Sequence, residues 1–243
     1  MLKNNLNVII IAVAVVISSY LFSNAFQNRN KSNDTISVTG SGKKDFVSDL
    51  IVWSGSFSKK SMTLKEAYAA LDSDREKIKS YLSSKGIAPK EMVFSAVNFN
   101  KDFETTYNEN GTTRQQIFTG FNLTQSVSIQ SKEVNKIEEL SRQSSELINS
   151  GVEFYSSPPE YYYTKLAELK IKMIAEATKD ASIRAKSIAK NADASLGNLK
   201  KSDMGVFQIV GQNSSEDFSY GGSFNTHSKN KRANITLRLV SQV

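Results

Sequence analysis

An apolar run close to the N-terminus constrains this chain more than any other feature. Lys3 precedes an unbroken apolar stretch from Val8 to Ile17, Ser18, Ser19, Tyr20, Leu21 and Phe22 follow, and no charged side chain occurs until Arg29. As a helix, Leu6 to Phe26 extends about 30 Å, the hydrocarbon thickness of a bilayer. A basic start, an apolar core and small residues at Ser23 and Ala25 also fit a secretory signal peptide cleaved after Ala25. Residues 1–26 are therefore a signal peptide or an uncleaved membrane anchor, and both readings place the rest of the chain in the periplasm or cell envelope. Charge bias does not orient the segment, because Lys3 on one side is balanced by Arg29 and Lys31 on the other. Residues 27–34 are polar and read as a linker, leaving 35–243 as the folded domain.

The folded part carries enough apolar residues for a substantial core, with 39% hydrophobic and 23% charged residues overall, which excludes wholesale disorder and a multi-span membrane protein. Lys and Arg exceed Asp and Glu by 31 to 24, and by 28 to 24 once Lys3, Arg29 and Lys31 are set aside. These charges are interspersed along the helices rather than gathered in a stripe, so no nucleic-acid partner is expected. The absence of cysteine removes disulfides, thiol catalysis, cysteine metal sites and lipid attachment through an N-terminal cysteine.

The domain opens with a strand containing Ile36 and Val38. Gly40 and Gly42 suggest a turn, and a second strand from Phe46 to Phe57 carries apolar residues on both alternation sets. Thr63 and Glu66 form a capping box ahead of a helix with Leu64, Ala67, Leu71, Ile78 and Leu82 at helical spacing, ended by Gly86 and Pro89. Strands over Glu91–Thr105 and Arg114–Ile129 are joined through Asn108 to Gly111, a hairpin signal. In the second, Ile117, Thr119, Phe121, Leu123, Val127 and Ile129 recur with period two. A second helix spans about Lys132 to Asn149, with Gly151 as terminator, and a strand runs from Val152 to Tyr155. Pro158 and Pro159 interrupt pairing, and Thr164 is the expected N-cap of a third helix to Ala192, with a stripe of Ala177, Ala181, Ala185 and Ala189. Final strands over Leu196–Val210 and Lys231–Val240 flank a Gly-, Ser- and Asn-rich loop. The expected class is α+β, with long antiparallel or mixed strands and three main helices.

Little in the sequence carries chemistry. His227, the only histidine, stands in the polar loop without companion ligands and reads as a solvated side chain. Gly40 to Lys44 lacks the spacing and following helix of a phosphate loop. Asp45 and Asp49 share a strand face, but two carboxylates are too few for a cation site. The Asn122-Leu123-Thr124 and Asn234-Ile235-Thr236 triplets fall inside expected strands and are read as sheet residues rather than glycosylation sites. Candidate partner contacts are Tyr161, Tyr162 and Tyr163, which could equally pack at a helix entrance, and Phe218, Tyr220 and Phe224 in the loop from Gly211 to Asn230.

The run Ile36-Ser37-Val38-Thr39-Gly40-Ser41-Gly42, Thr119-Gly120-Phe121, Ser150-Gly151-Val152-Glu153-Phe154 and the alanine stripe leading to Leu196-Gly197 together resemble the SIMPL-domain family. That family includes envelope proteins named oxidative stress defence protein and periplasmic immunogenic protein. Phe121 stands where Tyr is common, and the segment from Pro158 to Tyr163 marks a subgroup. The resemblance implies an α+β domain, export and, for some relatives, a large ring or channel-like oligomer. It supplies no catalytic motif, so no catalytic residue, cofactor or metal ligand is assigned. The expected function is a non-enzymatic envelope protein that self-associates as a homo-oligomer or binds a partner, with a link to stress tolerance. Its N-terminal segment would engage the membrane or the secretion machinery. The alternative is an envelope hydrolase whose carboxylates folding brings together.

Overall fold

The computed structural model describes residues 2–28, 34–107, 111, 113–216 and 219–243. In chain order the elements are α1 (Leu2–Asn28), β1 (Thr35–Val47), β2 (Leu50–Ser61), α2 (Leu64–Ser84), β3 (Met92–Phe94), β4 (Asn98–Tyr107), β5 (Thr113–Ser131), α3 (Val134–Gln143), α4 (Glu146–Asn149), β6 (Phe154–Ser156), β7 (Glu160–Tyr162), α5 (Leu166–Asn191), β8 (Leu199–Met204), β9 (Gln208–Gly211) and β10 (Asn230–Gln242). Within α1, Ile9–Phe26 is an 18-residue stretch long and apolar enough to cross a membrane, and none of it is buried against the domain. A signal sequence and an anchor are both compatible with that exposure.

The rest is α+β and organises around two sheets. In one, β10 lies between β1 and β8, with β9 also paired to β10; in the other, β5 and β2 are central, flanked by β3, β4, β6 and β7. All of these strand ladders are antiparallel. Each sheet has its own core. The six-stranded sheet buries Ile51, Trp53 and Phe57 of β2 with Leu123, Val127 and Ile129 of β5 beneath Leu71, Ile78 and Leu82 of α2 and Ile137 of α3. The four-stranded sheet buries Val38, Ile235, Leu237 and Leu239 beneath Met173 and the alanine stripe of α5.

The expected turn at Gly40 and Gly42 is absent: both sit inside the continuous strand β1, paired to Leu237 and Ile235. The chain turns instead at Ser48 and Asp49, so Phe46 and Val47 belong to β1. That reassignment removes the two-faced strand, because the residues of β2 then alternate regularly, with Ile51, Trp53 and Phe57 inward. The glycines are needed for a different reason. A Cβ on Gly40 would lie 2.7 Å from Ala181 Cβ and closer still to the Ala177 carbonyl, and one on Gly42 would lie 2.6 Å from the Met173 carbonyl. Glycine under alanine lets helix and strand approach more closely than larger side chains permit. The helix also covers the strand's edge, where Ser41 N–H donates to Asp180 at 2.8 Å.

Other differences are local. Thr63 accepts from Glu66 N–H at 3.3 Å, but the Glu66 carboxylate bonds Ser61 Oγ at 2.7 Å rather than closing the capping box. The expected strand over Glu91–Thr105 is divided into a 3-10 turn at Pro89–Glu91, then β3 and β4; Gln125 inserts between the strands, donating to Ser95 O at 2.8 Å. The expected single helix over Lys132–Asn149 breaks between α3 and α4, where the Ser144 hydroxyl returns to Ser141 O at 2.7 Å, a local competition typical of serine. Strand Leu196–Val210 is likewise split into β8 and β9. Asp45 and Asp49 do not share a strand face: Asp45 pairs with Arg232 at 2.6 and 2.9 Å, while Asp49 lies in the turn. Thr164 is not the N-cap of α5, a position Lys165 takes without a side-chain bond.

Candidate contact surfaces

The tyrosine segment joins the two cores. Asp49 receives the Thr164 N–H and hydroxyl, each at 2.7 Å, and its own N–H donates to Tyr162 O at 3.0 Å. Tyr161 is buried in the first core. Burial and the neighbouring Glu138 carboxylate raise its phenol pKa, and Lys229, at 2.7 Å, holds the Glu138 carboxyl below its ordinary range. Tyr163 stacks on Phe46 beside the second core, ring centroids 4.8 Å apart. Tyr162 donates to Glu160 at 2.8 Å and lies 6.4 Å from the Phe224 ring. Two of the three tyrosines are thus committed to packing inside the fold.

The loop between β9 and β10 is held by two buried polar side chains. Gln208 donates to Ser219 O at 2.6 Å and accepts from Ser223 N–H and Oγ at 2.7 and 2.8 Å. Lys231, 1% exposed, donates to Asn225 O, and Asn225 in turn donates to Glu216. Tyr220 stands wholly exposed and Phe224 about half exposed at the rim, whereas Phe218 lies outside the described residues. His227 borders a small cleft with Ser54, Ser157 and Glu160.

Burial pushes the Lys231 ammonium down to about 8, with Glu216 opposing the shift. Because the folded pKa lies below the unfolded one, the unfolded chain binds more protons between these two values, so stability rises as pH climbs from about 8 towards 10.5. Urea titrations of the wild type are expected to show a gain of about 1–3 kcal/mol across that window. The Lys231→Met variant should lack that gain; an identical slope in both proteins would locate the effect elsewhere.

A further surface is formed by β4 and the outer half of β5. None of β4 is buried, and Phe99, Phe103 and Tyr107 are 55%, 52% and 65% exposed. Phe103 packs on Phe118 at 5.7 Å, and Phe118 on Phe121 at 5.1 Å, a row of rings along one face of the hairpin. A bulge between the Asp102 and Phe103 pairs keeps these rings on that face. Gly120, at φ +133°, permits the bulge where a Cβ would meet Ser61 O at 2.8 Å. Lys60 fixes the root through Asp102 at 2.9 Å and Thr119 at 3.0 Å. The row continues into an apolar cleft where Leu64, Tyr68 and Val97 surround Phe99. The alternation of Phe99, Phe103 and Tyr107 was the available signal in the sequence.

Among the described residues no group of three or more His, Asp or Glu side chains is placed to hold a metal ion. The buried charged side chains among the described residues are Asp74 and Lys231. An α+β domain of two helix-covered antiparallel sheets, behind a membrane-length apolar helix, is the class these features define. The chain belongs to the SIMPL family, described as a protein of unknown function (DUF541), whose sequence model matches residues 36–233. No curated protein matches the chain.

Proposed function

We propose that this chain is an exported, non-enzymatic envelope protein that self-associates through the β4–β5 hairpin, with the Tyr220 and Phe224 rim as a second contact. The observation that carries this reading is the exposed set of Phe99, Phe103 and Tyr107 on β4, backed by the partly buried Phe118 and Phe121, because an exposed apolar face on a folded domain marks a surface built to be covered. Export is supported by α1, which engages the membrane or the secretion machinery and makes no use of the domain for burial. Interspersed basic and acidic residues favour protein contact over nucleic acid. A connection to stress tolerance rests on the family resemblance alone.

Light scattering on the full chain in mild detergent tests the assembly. The wild type is expected to form particles of several chains. Phe103→Ser with Phe118→Ser should weaken association by about 100-fold, since two buried phenyl groups contribute roughly 3 kcal/mol or more. A monomeric wild type at high concentration, or an unchanged double variant, contradicts the proposal.

A further inference from the structure

Between the β1–β2 turn and the start of α3 lies a cleft of about 620 Å3, bordered by Ser48, Lys132, Val134, Asn135, Lys136 and Lys229. Two independent features of this cleft have no use within the fold. Ser48 is 4% exposed, yet its hydroxyl has no hydrogen-bond partner, while its backbone N–H is taken up by Lys229 O at 3.0 Å. Leaving a buried hydroxyl unpaired costs roughly 1–3 kcal/mol, so a persistent case calls for a missing partner. The second feature is the N-terminus of α3, a helix of ten residues whose N-cap, Glu133, makes no side-chain capping bond. Glu133 is turned to Lys136 at 3.0 Å instead. Among the described residues, the N–H groups of Val134, Asn135 and Lys136 have no acceptor, leaving the partial positive charge of the helix end unanswered.

Three lysines and three carboxylates stand around the cleft, Lys132, Lys136 and Lys229 against Asp49, Glu133 and Glu138, so among the described residues the free charge rests on the one lysine without a partner. Lys132 forms no ion pair or hydrogen bond among the described residues, whereas Lys229 is fixed by Asn135 at 2.5 Å and Glu138 at 2.7 Å. The two acids at the rim are already occupied, Asp49 by both donors of Thr164 and Glu133 by Lys136. What remains open is a set of donors and cations: one buried hydroxyl, the helix N–H groups and the Lys132 ammonium. Donors converging on a helix N-terminus, with lysine beside them, suit a compact oxyanion better than a neutral ligand.

We propose that this cleft binds a tetrahedral oxyanion, inorganic phosphate or the phosphate of a monoester. Ser48 and the first-turn N–H groups of α3 donate to its oxygens, and Lys132 supplies the charge, Lys136 being held by Glu133 and the Gly86 carbonyl. The site is independent of the hairpin face and does not require self-association.

Calorimetric titration of the full chain in neutral detergent, at constant ionic strength with chloride as background, tests it using inorganic phosphate and glycerol 3-phosphate as probes. Saturable binding, displaced by sulfate, is expected. Ser48→Ala should weaken it about tenfold, the loss of one hydrogen bond to a charged group. It should leave the melting temperature of the unliganded protein unchanged or higher, because the removed hydroxyl had no partner. Lys132→Gln, at an exposed position, should weaken binding several-fold without affecting the fold. Tighter binding of glycerol 3-phosphate identifies an ester as the better ligand, and equal or weaker binding identifies the free ion. Heats no larger than those of chloride, or both variants binding like the wild type, overturn the proposal.

Discussion

Replacing Gly40 with alanine is expected to cost more than about 3 kcal/mol, above the usual range for inserting one methyl group into a core. The reason lies in what surrounds the new atom. It would meet the backbone carbonyl of Ala177, the backbone nitrogen of Ala181 and the Ala181 methyl at 2.7 Å. None of these can swing aside by changing a rotamer. To make room α5 must lift from β1, and lifting it uncovers Met173, Ala177, Ala181 and Ala185, which fill the second core. Urea unfolding followed by far-UV circular dichroism measures the loss, with Ser41→Ala as the mild neighbour, since Ser41 is exposed and the larger part of its interaction with Asp180 runs through the backbone N–H. Gly40→Ala within 1 kcal/mol of the wild type would mean that helix and strand are not in this close contact.

Removal of the Asp74 carboxylate should have the second large effect. Asp74 projects from α2 and is 2% exposed. Lys59 approaches one of its oxygens at 3.0 Å and Lys77 the other at 3.3 Å. Lys59 lies on β2 opposite Leu123, the strand face that carries the first core. Asp74→Ala leaves this partly buried ammonium without its counter-charge, and breaking such a pair costs about 3–5 kcal/mol. Trp53, the single tryptophan and 1% exposed, reports directly on that core, so its fluorescence during urea unfolding measures the loss. Combining Asp74→Leu with Lys59→Met should recover most of the stability, because apolar replacement of both partners removes the stranded charge along with the bond. A double variant as unstable as Asp74→Ala would assign the cost to altered packing instead.

These two sites also show where sequence reading succeeds and where it stops. The helix containing Asp74 was legible because Leu71, Ile78 and Leu82 repeat at helical spacing behind a capping threonine, and β5 because its alternation is long. The alanine stripe of α5 was equally plain. Gly40 and Gly42 suggest a turn because glycine most often marks one, yet the cause here is a helix far along the chain, which no local pattern reveals. The break between α3 and α4 turns on serine hydroxyls bonding back to the preceding turn, and polar composition conceals that choice. Tyr161 and Tyr163 offered apolar area in the sequence, but the turn at Ser48 and Asp49 draws their segment between the two cores. Ser48 itself carried no signal, because a serine becomes conspicuous only once folding buries its hydroxyl without a partner. The hairpin face could have been recognised from Phe99, Phe103 and Tyr107, although alternation alone does not say that their side of the sheet lacks a covering helix.

The central claim, a SIMPL-family domain carried out of the cytoplasm and assembled there, is tested most directly by native mass spectrometry of the protein recovered from fractionated cells. The account predicts a complex in the envelope fraction whose mass is a multiple of the 26.9 kDa chain, or of the chain shortened after Ala25. A single chain of full length in the cytosolic fraction would contradict it.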